Sequence, residues 1–307
     1  QGEFFSSVGQ RVGPVLHKRH SQRKLETAKA ELRRQLQRHL KRAQKKKAIH
    51  ELDLQEAEHA DQYRHQGELL TASFHLIPQG ASSVQVPDYT QEGSPLVTVE
   101  LDPLLTPSGN VERIFRRYRK AKARQEHAQG QLELTQVELE YLENTLLQIE
   151  LAEEIPLLKE IEAELIKLGY LKAKAKRRSA KTAKPLGPQR YLSVDGLTIL
   201  VGRNNRQNDE LTFHLTRPNH VWLHARNIAG SHVSILAEDV PPETLLQAAQ
   251  LAAYFSEQRK SPKVAVDYTL RKHVRKPKGA QPGFVHYEQA KTLLVNPTEL
   301  ELPPLKE

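Results

Sequence analysis

The sequence predicts a mixed architecture: a long antiparallel coiled-coil hairpin with a small β-containing tip, followed by a compact α+β domain. Three observations predict it. Two amphipathic stretches of similar length flank one short region rich in proline and glycine. Their charges are complementary in the antiparallel register. From Tyr191 onward the hydrophobic pattern changes from helical spacing to short apolar runs punctuated by turn residues.

The first helix is expected from about Val12 to Ile77. Between Pro14 and Ile77 there is no further proline and a single glycine, Gly67, while Leu25, Ala28, Leu32, Leu36, Leu40 and Ala43 recur at three- and four-residue spacing. Pro78-Gln79-Gly80 ends it, and the prolines and glycines up to residue 108, with short alternating runs at Val84-Gln85-Val86 and Leu96-Val97-Thr98-Val99, give the tip, about 78–108. Thr106-Pro107-Ser108 offers helix-starting chemistry for a second helix running to Leu168-Gly169, which Pro156 is expected to kink or restart. Residues 11–47 hold 14 basic and 2 acidic groups against 1 and 10 in 132–164, and residues 51–68 hold 1 and 6 against 7 and 1 in 110–124. Only one antiparallel register puts opposite signs together at both places, so runs such as Arg33-Arg34 and Lys45-Lys46-Lys47 read first as partners for the other helix.

The 307 residues therefore divide into an arm, 1–170, a basic linker, 171–190, and a module, 191–307. The net charge of +9 sits almost wholly in the linker, which has eight basic residues and no acid; Arg177 and Arg178 are its candidate phosphate contacts, with a solvated connector as the plainer reading. In the module, Tyr191–Val194 and Leu197–Val201 flank the turn pair Asp195-Gly196; Trp222–His224 and His232–Ile235 read as strands, Pro241 to Arg259 as a helix, and Val264–Tyr268, Phe284–Tyr287 and Lys291–Val295 as the last strands. Without cysteine there is no disulfide framework, in keeping with a reducing cytoplasm, and no apolar run approaches the roughly twenty residues that span a bilayer. A chain that opens at Gln1 and lacks methionine reads as a fragment, with Gly2-Glu3-Phe4 as a cloning scar.

The functional signal concentrates between Gly202 and Val233. Arg203, Asn204, Asn205, Gln207, Asn208 and Asp209 follow an apolar strand, and such a polar run belongs at a surface or a ligand unless every hydrogen bond is met. Arginine and amide side chains grip phosphates and base edges, and the single tryptophan, Trp222, offers a stacking face or packs in the core. On the strand that follows, Trp222, His224 and Arg226 share a face by the two-residue period, near Ser231 and His232. A metal at His220, His224 and His232 would lack a cysteine or a paired acid, and Ser231-His232 lack a third catalytic group. The reading is recognition without catalysis, cofactor or metal.

These residues also carry a resemblance. Gly202-Arg203-Asn204-Asn205-x-Gln207-Asn208-Asp209, Trp222-Leu223-His224-Ala225, Gly230-Ser231-His232-Val233, Leu251–Ser256, and Lys276-Pro277-x-Gly279-Ala280-x-Pro282-Gly283-Phe284-Val285 through Lys291-Thr292-Leu293 resemble the C-terminal RNA-binding module of the NFACT family. Tyr63-Arg64-x-x-Gly67-Glu68-Leu69-Leu70 and Asn110-x-x-x-x-Phe115-x-x-Tyr118-x-Lys120 are similar to pieces of its coiled-coil arm. Two places depart from the pattern: Asn219-His220 stand where an acidic residue is usual, and Val111-Glu112 where Ala-Gln is. The resemblance implies a ribosome-associated quality-control factor that binds obstructed large ribosomal subunits, with tRNA and rRNA as partners, and recruits alanyl-tRNA to extend stalled chains with alanines. It also implies that the family's N-terminal tRNA-recognising domain and helix-hairpin-helix segment lie outside this stretch. The residues assigned to nucleic acid are Arg203, Asn204, Asn205, Gln207, Asn208, Asp209, Trp222, His224, Arg226, Ser231 and His232, with Arg177 and Arg178. Two other classes remain: a surface adhesin for fibronectin, implied by another name used in the family, and a coiled-coil scaffold with a peptide-binding domain.

Overall fold

A computed structural model describes residues 2–57, 59–173 and 185–297. The fold is mixed α+β, with long helices and antiparallel sheets. It divides into two compact units: one is the chain up to Ala43 together with the chain from Val137 onward, the other Gln44–Gln136.

The larger unit is built on a six-stranded antiparallel sheet in the order β10-β7-β5-β6-β4-β3, where β3 is Gln189–Leu192, β4 Thr198–Val201, β5 Val221–Ala225, β6 Val233–Ile235, β7 Val264–Leu270 and β10 Lys291–Val295. The expected turn joins β3 to β4, with Gly196 at φ 75, where a side chain would be strained. Both faces of the sheet are covered, which is why its central strands read as continuous apolar runs rather than alternating ones. Ile199, Val201, Leu223, Val233, Ile235, Val264 and Val266 pack under helix α6 (Pro242–Tyr254), whose Ala248, Ala249, Ala252 and Ala253 allow close approach. Leu200, Trp222, Leu211 and Val274 form a second cluster with Val285 and Tyr287 packed against it. Helix α6 stops at Phe255, short of the predicted Arg259, because Ser256 pairs with Gly230 in an isolated bridge.

The same unit contains helical segments on both sides of position 151. Helix α3 (Pro107–Leu151) ends before Ala152-Glu153-Glu154, and α4 (Ile155–Lys167) restarts with Pro156 in its first turn, where a missing N–H costs nothing. Gly169, at φ 83, closes α4: its N–H donates to Ile166 O at 3.1 Å and Tyr170 N donates to Leu165 O at 2.9 Å. Leu25, Leu32, Leu36 and Ala43 of α1 (Gly2–Ala57) are buried with Leu139, Leu142 and Ile149 of α3 and Leu157, Leu158, Ile161 and Leu165 of α4. An ion pair joins the basic segment to the acidic one, Arg33 lying 3.2 Å from the Glu150 carboxylate, and Lys29 Nζ donates to the Glu150 backbone carbonyl at 2.9 Å.

In the smaller unit the first helical run is interrupted, α1 ending at Ala57 and α2 spanning Ala60–Ala72. Strands β1 (Ser83–Pro87) and β2 (Leu96–Glu100) pair antiparallel where alternating runs were expected. Their Val84, Val86 and Val99 pack with Leu69, Leu70, Ile77 and Ile114. The residues that resemble the family's arm have structural work. A Cβ on Gly67 would stand 2.9 Å from the Phe115 ring, so glycine lets that ring lie on α2. Buried Asn110 accepts from Asp102 N at 2.7 Å and donates to Asp102 O at 3.0 Å, tying the strand exit to the start of α3. Thr106 Oγ1 accepts from Gly109 N at 3.1 Å, as a capping residue does. In this unit Glu51 pairs with Lys47 and both Asp61 and Glu68 with Arg64 along their own helices, and Asp88 of the tip pairs with His65 of α2.

Burial of each large apolar side chain is worth roughly 1.5–3 kcal/mol, so this apolar cluster of α1, α3 and α4 outweighs an exposed ion pair in stability. Reversing Arg33→Glu or Glu150→Lys alone should each destabilise by about 0.2–1 kcal/mol, and the double reversal should recover most of the loss in a urea-denaturation cycle. Strictly additive losses would show that the two side chains do not interact.

Candidate nucleic-acid interface

The polar run after β4 forms a short helix, α5 (Asn205–Glu210), that docks on α3 and α4. Asn204 is extended, and its Oδ1 accepts from Gln207 N at 2.8 Å; Gln207 Oε1 accepts from Arg203 N at 3.1 Å, a reciprocal arrangement like a capping box. Asn205 Oδ1 accepts from Asn144 Nδ2 at 2.7 Å and Gln148 Nε2 at 2.9 Å, while its Nδ2 donates to Thr145 Oγ1 at 2.8 Å. Asn204 Nδ2 donates to Glu160 Oε2 at 3.0 Å. Arg206 reaches the same carboxylate at 3.0 Å, the carbonyl of Leu186 at 2.8 Å and Glu210 at 2.8 Å. Arg203 donates to Glu154 at 2.8 Å and to Gly187 O at 3.2 Å. The close of the expected linker is thus pinned, with Leu186 N also donating to Glu160.

Charge follows the same geometry. Burial alone would raise the Glu160 carboxyl, but hydrogen bonds from Leu186, Arg206 and Asn204 carry it below the usual carboxylate range. Burial raises Glu164, which accepts from Tyr141 at 2.8 Å and from Arg206 N at 3.2 Å. The cost of burying these acids is met by cations and amides from α5.

Several assigned residues are therefore placed differently from the expectation. Asn204, Asn205, Gln207 and Asn208 are 0–2 % exposed and hold protein groups, so they present no surface to a base or phosphate. Close packing continues on either side: a Cβ on Gly202 would fall 2.1 Å from Asn208 Oδ1, and Asn208 Oδ1 accepts from His232 N at 3.1 Å. Trp222 is fully buried, donating to Thr212 Oγ1 at 3.1 Å with its ring against His224, His232 and Tyr287, and is a core residue rather than a stacking platform. Burial pushes His224 down to about 4 and His232 well below its ordinary range, so neither offers a positive charge at neutral pH. Buried Ser231 donates its N–H to Phe255 O at 3.0 Å. His220, at the departure from the family pattern, is buried too, its Nδ1 accepting from Arg217 N at 3.3 Å. Arg203 is spent on Glu154, and Arg226 is exposed beside Thr292 at 3.3 Å and Asp267 at 3.7 Å. Arg177 and Arg178 lie outside the described residues.

Asp209 leads to a hairpin whose loop is the Lys276-to-Val285 segment that carries part of the resemblance and whose second strand lies within the expected Phe284–Tyr287 run. Asp209 binds Lys276 Nζ and accepts from Gly283 N at 2.9 Å, fastening both ends of the loop between β8 (Val274–Arg275) and β9 (His286–Tyr287). Gly283 sits at φ 79 with the side chain of Asn205 against it, so the buried run also seats this hairpin. The strands pair Val274 with Tyr287 and Arg275 with His286. Val274, Val285 and Tyr287 face the Trp222 cluster, leaving Arg275 and His286 on the solvent side with Phe284, whose ring centroid is 5.1 Å from that of His286. Lys272, Arg275 and Lys278 are exposed and make no ion pair among the described residues. The signal was available: residues 271–288 contain five lysines and arginines and one acid, Glu288.

An α+β module fastened to helices through buried polar contacts, with exposed cations gathered on one hairpin, is the class that this geometry defines. The chain belongs to the NFACT family: residues 2–184 match the NFACT N-terminal and middle domains and residues 188–288 the NFACT protein RNA binding domain. It is 40 % identical over 249 residues to the Rqc2 homolog RqcH of Bacillus subtilis, covering 80 % of this chain and 43 % of that protein. It is 43 % identical over 273 residues to the Rqc2 homolog RqcH of Streptococcus suis, covering 87 % of this chain and 48 % of that protein. The chain thus spans about half the length of these relatives. A solved structure of the C-terminal part of the fibronectin/fibrinogen-binding protein from Streptococcus suis aligns with a TM-score of 0.71 at 35 % identity, covering 90 % of this chain and 96 % of that one.

Two expectations follow. Asn205→Ala strands Asn144, Thr145 and Gln148 and should cost about 2–4 kcal/mol in a denaturation experiment, whereas an exposed amide would cost close to nothing. The histidines set a pH dependence: neutral when folded, they protonate in the unfolded chain below about 6.5, so their contribution is complete above that pH and is lost as pH falls toward about 4. Melting temperature should decline from pH 6.5 downward, and the His224 and His232 ring resonances should not titrate between about pH 8 and 5.

Proposed function

We propose that this chain is the RNA-binding portion of a cytoplasmic ribosome-associated quality-control factor. It binds obstructed large ribosomal subunits carrying peptidyl-tRNA, and the whole protein recruits alanyl-tRNA to extend stalled chains with C-terminal alanines. The observation that carries this is the match of residues 188–288 to the NFACT RNA-binding domain. The relatives named RqcH, which are similar across most of this chain, support the ribosomal setting. We propose a division of labour along the expected boundaries: helices within 1–170 acting as an antiparallel coiled-coil arm, 171–190 as a basic connector, and 191–307 as the RNA-contacting module. The chain acts by binding rather than by catalysis. Fibronectin binding is a second reading, favoured by the name of the aligned Streptococcus suis protein.

Titrating the chain against purified large subunits, tRNA and fibronectin across a salt series separates the readings. Ribosomal and tRNA affinity should fall linearly in log–log form with salt, as counterion release requires. Saturable, salt-insensitive binding to fibronectin with no RNA binding would overturn the proposal. In cells lacking the whole protein, stalled chains should lose their alanine extensions by mass spectrometry.

A further inference from the structure

We infer that the β8–β9 hairpin is the surface through which the module takes single-stranded RNA, with Lys272, Arg275 and Lys278 on phosphates and the Phe284–His286 pair against an unstacked base. The inference rests on the RNA-binding reading above and names its site. The elimination comes from the ion pairs. Arg203 is held by Glu154, Arg206 by Glu160 and Glu210, and Lys276 by Asp209. Arg271 donates Nε to Thr212 O at 3.0 Å and lies over the Phe213 ring, and Arg259 lies over Tyr254. Arg190, Arg217, Lys260, Lys263 and Lys291 are also exposed without an ion pair among the described residues, but Lys272, Arg275 and Lys278 are three such cations close in sequence, with Arg275 paired opposite His286.

Pairing register supplies the second half of the argument. Arg275 stands directly opposite His286, and neighbours across an antiparallel pair project to one side. Phe284, two residues before His286, meets its ring edge to face, so a guanidinium, an imidazole and a phenyl ring share the solvent side while Val285 and Tyr287 anchor the strand below. Cations beside accessible rings fit a strand whose bases are free to stack, because a duplex keeps its base faces covered. The loop is also held in place before any ligand arrives: Asp209 grips Lys276 and Gly283, and Ala280 N donates to Pro277 O at 3.1 Å. Preorganisation of this kind lowers the ordering cost of binding.

Fluorescence anisotropy of a short oligouridine and of an RNA duplex, each across a salt series, tests the assignment on the chain as it stands. The variant carrying Lys272→Gln, Arg275→Gln and Lys278→Gln should bind oligouridine at least about tenfold more weakly, its salt slope reduced by roughly 0.7 for each phosphate no longer neutralised. His286→Ala should weaken oligouridine binding about fivefold, leave the slope unchanged and spare the duplex. Lys260→Gln with Lys263→Gln and Lys291→Gln, the same loss of three charges elsewhere on the module, should have the smaller effect. Thermal melts confirm that each variant is folded; these side chains are exposed. If the parent binds oligouridine and the triple variant keeps its affinity and slope, the hairpin assignment fails while the RNA-binding reading stands. A parent that binds no RNA overturns both. Equal losses on single strand and duplex from His286→Ala overturn the stacking role.

Discussion

The side chain of Asn205 accepts two hydrogen bonds and donates one, all to helix α3, with almost no contact with water. Much else in the larger unit depends on that contact. Asn205 can face α3 only because Asn204 caps the short helix behind it, and the cap forms only because Gly202 leaves room for Asn208. On its other side Asn205 packs against Gly283 and so sets the position of the loop between β8 and β9. Docking of the module on the helices and the seating of its hairpin are therefore one arrangement, held by one short helix.

The arrangement is polar where an apolar one would bind as tightly, and the energetics say why. A neutral hydrogen bond returns only about 0.5–1.5 kcal/mol on folding, whereas a buried partner left unmet costs about 1–3 kcal/mol. Leu157, Leu158, Ile161 and Leu165 tolerate small displacements along their helix, because apolar contact is non-directional. Asn144, Gln148, Glu160 and Glu164 tolerate less, since each displacement would stretch or break a directional hydrogen bond. Apolar burial gives this unit most of its stability, and the amide network selects one geometry within it.

The elements were largely legible in the sequence and the site was not. Short apolar runs and the Asp195-Gly196 turn located the main strands, and Pro156 correctly marked a helix restart. The interruption near Ala57 carries no proline or glycine and had no local signal. The run from Arg203 to Asp209 was read as surface because a lone segment cannot show its partners. Those partners, Asn144, Thr145, Gln148, Glu154, Glu160 and Glu164, lie some forty to sixty residues away and are themselves ordinary polar residues on α3 and α4 or, for Glu154, at the start of α4. A polar run can be a core whose amides hold protein partners, and sequence separates the two cases only when both halves are recognised. The hairpin was legible in half: its second strand lies within the expected Phe284–Tyr287 run, while the two-residue strand Val274–Arg275 falls below any periodic signal.

Charge then divides the cations of the larger unit into two populations. Glu154, Glu160, Glu210 and Asp209 neutralise Arg203, Arg206 and Lys276, which makes these basic residues structural despite their sequence context. A phosphate competing for them would have to displace a carboxylate already desolvated by the fold, and that exchange releases no counterion. Lys272, Arg275 and Lys278 face no such competitor among the described residues, so an approaching polyanion gains the full release of its ions there. Placement of acids therefore matters as much as placement of bases: Glu154, Glu160 and Glu210 hold arginines where the module meets its helices, Asp209 holds Lys276 at the hairpin, and Lys272, Arg275 and Lys278 have no acid partner among the described residues.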